Sequence, residues 1–128
     1  MCYLNRLRNT LIPIIIVAGS LLCGFVQAND AKIIDATIQA TGGGKYRISV
    51  TLRHDDTGWD HYANRWDVLN EKGELLGSRT LAHPHVNEQP FTRSLTLKIP
   101  AGVEAVTIVA SDSVHGDNAE TFTLAIPE

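Results

Sequence analysis

The stretch Lys45-Tyr46-Arg47-Ile48-Ser49-Val50-Thr51-Leu52-Arg53 decides the fold. Tyr46, Ile48, Val50 and Leu52 alternate with Arg47, Ser49, Thr51 and Arg53. A period of two places the first set on one face of an extended chain and the second on the other, which is the pattern of a half-buried β-strand. Upstream, Lys32 to Ala40 reads as a first strand, closed by Gly42-Gly43-Gly44, three glycines that permit a tight hairpin turn.

Downstream, Tyr62 to Leu69 reads as a third strand with Trp66 and Val68 inward, and Asn70-Glu71-Lys72-Gly73 as a turn. A short fourth strand is expected near Glu74 to Leu81. The fifth spans Phe91 to Ile99, with Phe91, Leu95, Leu97 and Ile99 on one face. Arg93 falls on that same apolar face, and an ion pair with Glu88 is expected there; Arg65 is expected to pair with Asp67. Val106, Ile108 and Ala110 define the sixth strand, Glu104 to Ser111. Phe122, Leu124 and Ile126 define the last, Glu120 to Ile126. Val, Ile and Thr dominate these runs, as strands prefer, and no segment has helical periodicity. Seven short strands with turn signals every ten or so residues predict an all-β, antiparallel sandwich of immunoglobulin or fibronectin type.

The N-terminus has a different character. Arg6 and Arg8 precede an apolar run from Leu11 to Val26, and Val26-Gln27-Ala28 supplies small residues at the −3 and −1 positions of a cleavage site. That order predicts a signal peptide over 1–28 and a β-sandwich domain over 29–128, exported to the periplasm or secreted. The rival is lipoprotein processing before Cys23, for which Leu22 is bulky. Cleavage after Ala28 removes Cys2, Cys23 and Met1, so the mature chain holds no sulfur. Disulfides, thiolate nucleophiles, Cys-ligated zinc and blue copper are thereby excluded. Nine basic residues then face fourteen acids, a net charge near −5. Neither a nucleic-acid partner nor, after cleavage, a membrane partner is expected.

In an up-and-down course the loops after strands two, four and six share one end of the sandwich. All five histidines fall there: His54 and His61 on the first loop, His83 and His85 on the second, His115 on the third. Asp55, Asp56, Asp60, Glu88, Asp112 and Asp117 lie on the same loops. Imidazole is the commonest transition-metal ligand. His83-Pro84-His85 is an i, i+2 pair whose side chains point the same way on extended backbone, stiffened by Pro84. His54, His61 or His115 would complete three or four nitrogens around Zn, Cu(II), Ni or Fe(II). Asp112 and Asp60 are accessory candidates, and Trp59 is either a lid over the loops or a contact for a partner. A lone loop histidine is more often solvated or bonded to a neighbouring acid; the joint clustering is what points to a site.

The segment Arg53-His54-Asp55-Asp56-Thr57-Gly58-Trp59-Asp60-His61-Tyr62, with Leu81-Ala82-His83-Pro84-His85 and Val114-His115-Gly116, resembles a family of small exported proteins of Gram-negative bacteria. A second, distant resemblance is to superoxide reductases, immunoglobulin-like domains with iron held by four histidines and a cysteine. His54, then His61-Tyr62, then Asp112-Ser113-Val114-His115-Gly116 are similar to that family's pattern, and the resemblance implies ligand roles for His54, His61 and His115. Asp112 stands where the thiolate belongs, the first interval is one residue longer, and the early Glu-Lys-His motif is absent. The expected function is an exported metal-binding protein, a carrier or sensor. Two alternatives stay open: a metal-dependent redox or hydrolytic enzyme, and a metal-free module that contacts a periplasmic protein through this end. No Gly-x-Ser-x-Gly, phosphate loop or His-Glu-x-x-His is present.

Overall fold

The computed structural model describes residues 30–128, all strand, turn and loop. The expected signal peptide, 1–28, lies outside the described residues. Seven strands form in chain order: β1 (Lys32–Gly42), β2 (Lys45–Arg53), β3 (Ala63–Leu69), β4 (Leu75–Thr80), β5 (Phe91–Lys98), β6 (Ala105–Asp112) and β7 (Gly116–Ala125). They make two antiparallel sheets, one ordered β1-β2-β5 and the other β4-β3-β6-β7. In the constant-type immunoglobulin arrangement the fourth strand joins the sheet of the first two. Here β4 pairs instead with β3, Trp66 opposite Arg79 and Val68 opposite Gly77.

The alternation in β2 emerges as read. Ile48, Val50 and Leu52 are fully buried, while Ser49 and Thr51 lie on the outer face, each hydroxyl bonded to its cross-strand partner, Ser94 or Thr92. Burying each such apolar side chain contributes on the order of 1.5–3 kcal/mol. From the facing sheet, Trp66, Val68, Val106, Ile108 and Ala110 close the core. Arg65 pairs with Asp67 and Arg93 with Glu88, as expected.

Two boundaries differ from expectation by more than one residue. β1 continues to Gly42, and the turn is made by Gly42, Gly43 and Gly44 at φ of 100°, 66° and 77°, a left-handed run open to glycine alone. β7 begins at Gly116 rather than Glu120, pairing Asp112 with Gly116 and Ser111 with Asp117. The expected long loop over 112–119 is therefore a three-residue turn, 113–115, closed by Gly116 at positive φ.

Registers fix which ends coincide. Lys32 pairs with Arg53 and Leu52 with Phe91 in one sheet; Arg65 pairs with Thr80 and Ala63 with Asp112 in the other. The ends of β2, β4 and β6 thus lie together, as the up-and-down course requires.

Candidate metal centre

The core-facing rows do not stop at apolar residues. Just past the end of β2 the row Ile48, Val50, Leu52 continues to His54, and in β6 the row Val106, Ile108, Ala110 continues to Asp112. Both are buried, at 2% and 1% exposure. The last rung of the core is therefore an imidazole from one sheet and a carboxylate from the other. Burying such groups is costly unless each finds partners.

The partners are close by. His54 Nδ1 lies 2.5 Å from Asp56 Oδ1. The His54 and His61 rings meet edge to face with centroids 4.7 Å apart, and His61 meets His115 in the same way at 5.1 Å. His61 Nε2 stands 3.2 Å from Asp112 Oδ1. That nitrogen is buried yet has no hydrogen-bond partner, because the approach to Asp112 is close but misaligned. Asp112 Oδ1 accepts the backbone N–H groups of Val114 and His115, at 2.9 and 2.7 Å, and the His115 ring Nδ1 donates to the same carboxylate at 3.0 Å. Burial alone would push the Asp112 carboxyl up; these three donors outweigh it and hold the group below its ordinary range.

Among the described residues, two sets of three potential ligand atoms lie within 4.8 Å of one another: His54, His61 and Asp112, and Asp30, Asp112 and His115. The first set is the buried one. Two ligands bound to zinc at about 2.1 Å in tetrahedral geometry sit roughly 3.4 Å apart. The 3.2 Å between His61 Nε2 and Asp112 Oδ1 fits that spacing. The donor set of imidazole nitrogens and a carboxylate suits Zn, Cu(II), Ni or Fe(II) without selecting one.

His83 and His85 fall in neither set. They pair with each other, ring centroids 4.6 Å apart, and His85 stacks on Phe91 at 3.9 Å. His85 Nε2 lies 2.9 Å from Arg93 Nη2. A guanidinium only donates, so Nε2 accepts and its lone pair is occupied. Burial, then the Arg93 charge and the His83 ring, lower the His85 pKa against the opposing pull of Glu88 and Asp56. His85 is thus a buried, neutral packing element beside the site. Asp60 is exposed and outside both sets, and Trp59 is 67% exposed, leaning edge to face on Tyr62 at 5.6 Å.

The sequence singled out neither Asp30 nor Gln89, and it placed Asp56 only among the acids of these loops. Asp56 is two residues from His54, a spacing that signals a local side-chain contact. Gln89 accepts the His54 backbone N–H across 35 residues and left no sequence signal.

Comparisons with known proteins are sparse. No family model matches the chain. A protein of Halomicrobium mukohataei described as "Putative lipoprotein" is 44% identical over 99 residues, 77% of this chain and 49% of that protein. The chain therefore spans about half the length of the curated relative it matches. That relative comes from a halophilic archaeon rather than from the Gram-negative bacteria expected. A superoxide reductase (1Fe-SOR) from Giardia intestinalis aligns at a TM-score of 0.43 and 15% identity, covering 71% of this chain and 95% of that one.

Proposed function

We propose that this domain binds one transition-metal ion at the polar end of its sandwich, through His54, His61 and Asp112 with His115 alongside, and acts as an exported metal carrier or sensor. The observation that carries the reading is the buried His61 Nε2, unbonded and 3.2 Å from Asp112 Oδ1. A buried ring nitrogen and a buried carboxylate oxygen held this close, with no hydrogen bond between them, are what a cation would satisfy together. An ion there would supply the positive charge that the two groups lack, and the chain's own residues would hold and orient it. Export is supported by the relative's description as a lipoprotein and by the Val26-Gln27-Ala28 cleavage pattern.

The test is direct. Protein purified without a histidine tag is analysed for metal content, then stripped and titrated with Zn(II), Cu(II) and Ni(II). One ion per chain is expected, with binding weakened by at least about tenfold in His61→Ala. Retention of full binding by His61→Ala, or binding of none of the three ions by wild type, would refute the reading.

A further inference from the structure

We infer that Asp56 is the positioning residue of this site: it fixes which nitrogen of His54 faces the ion. The inference rests on the metal-binding reading above. The Asp56 side chain is fully buried and engaged on both oxygens. Oδ1 accepts the Ala63 N–H at 3.0 Å, and Oδ2 accepts the His85 N–H at 2.7 Å. Those two donors belong to the start of β3 and to the β4–β5 loop, so the carboxylate cannot swing. Its remaining bond is to His54 Nδ1.

A carboxylate only accepts, so Nδ1 carries the ring proton and Nε2 carries the lone pair. Nε2 is accordingly the nitrogen that would ligate. Metal-bound histidines commonly donate their other ring N–H to a carboxylate, which sets the tautomer, holds the ring's aim and raises its basicity. The His54 main chain is held as well: its N–H donates to Gln89 Oε1 at 3.0 Å, and its carbonyl accepts the Asp56 N–H at 2.8 Å. Gln89 Nε2 in turn donates to the His85 carbonyl at 2.9 Å. The β4–β5 loop, where His83 and His85 were expected to serve as ligands, thus serves His54 indirectly.

A purely structural clamp would need only the two backbone bonds. The row that ends in His54 could finish in another aliphatic residue with no buried imidazole to satisfy, and the third bond is explained by a ring that must be aimed.

Stripped wild type and Asp56→Asn are titrated with Co(II) and Zn(II), reading the Co(II) d–d absorption and Zn(II) affinity by chelator competition. Asp56→Asn is expected to bind about 10- to 100-fold more weakly, with an altered Co(II) spectrum. Binding within about twofold of wild type and an unchanged spectrum would overturn the positioning role alone. Wild type that binds neither ion overturns both readings. Should Asp56→Asn not fold, nitrogen NMR of metal-free wild type decides: a His54 ring protonated at Nδ1 supports the inference, and one protonated at Nε2 overturns it.

Discussion

His61 Nε2 faces Asp112 Oδ1 at 3.2 Å across the end of the sandwich, and the two do not share a hydrogen bond. One arrives from the β2–β3 loop, the other from the last residue of β6. The antiparallel pairing of β3 with β6, which sets Ala63 opposite Asp112, brings them together across 51 residues of chain.

Removing that nitrogen separates ligation from stability. Since orienting partners of metal ligands are worth about 10- to 100-fold in affinity, His61→Ala is expected to weaken Zn(II) binding by at least tenfold. At an ion excess of a hundred times the dissociation constant, binding to the folded state alone adds about 2.7 kcal/mol. Wild type is thus expected to gain more than about 10 °C in melting temperature with Zn(II). His61→Ala is expected to gain much less, as calorimetry with and without the ion would show.

The core reading predicts an asymmetry between neighbours. Leu52→Ala is expected to cost about 2–5 kcal/mol. Thr51→Ser, which keeps the hydroxyl facing Thr92, is expected to cost less than about 0.5 kcal/mol. Urea unfolding of the two variants side by side checks this; equal losses would contradict the burial pattern.

Stability is expected to fall on mild acidification because of His85. Burial, Arg93 and His83 hold its folded pKa below 6.5. The unfolded chain takes up this proton near pH 6.5, while the folded protein resists it. The imidazole's contribution is therefore full above that pH and is lost as pH drops through it toward the lower folded value. Urea midpoints at pH 7.5 and 5.5 should differ, and Arg93→Met, which removes one cause, should narrow the gap. An unchanged gap in that variant would assign the effect elsewhere. Asp112 acts in a separate window: its lowered pKa adds stability above about pH 4 that is lost below it.

Gly77 on β4 faces β5 across the sandwich edge. An added Cβ would meet Leu97 Cδ1 at 3.0 Å and Leu95 Cδ2 at 3.3 Å. These are ends of flexible side chains, so Gly77→Ala is expected to cost under about 1 kcal/mol, whereas Gly77→Ile should cost about 1–3 kcal/mol through overpacking. Thermal unfolding of the pair would test it.

The strands were legible because alternation is a local signal: Ile48, Val50 and Leu52 announce their face without help from the rest of the chain. The same count carried two residues further reaches His54, and carried from Ala110 it reaches Asp112, so two of the three residues of the proposed site were written in the strand pattern. The start of β7 was not legible, since Gly116 to Ala119 offer no large apolar residue and their pairing is dictated by the β6 hairpin. Nor was the sheet chosen by β4, whose short sequence suits either neighbour. His83 and His85 looked like ligands by spacing, but Arg93 and Phe91, placed by the register of β5, claim His85 from outside its own loop.

The two tryptophans of the chain divide between opposite environments, and this gives the domain a built-in pair of optical reporters. Trp66 is sealed in the core, and Trp59 stands in solvent on the loop that carries His61. Emission from the first should stay blue-shifted until the whole sandwich unfolds. Emission from the second should be red-shifted, open to acrylamide, and the first to be quenched by a paramagnetic ion arriving at this end. A single fluorescence titration with Cu(II) can therefore distinguish an event at the loops from a loss of the fold, with no label attached.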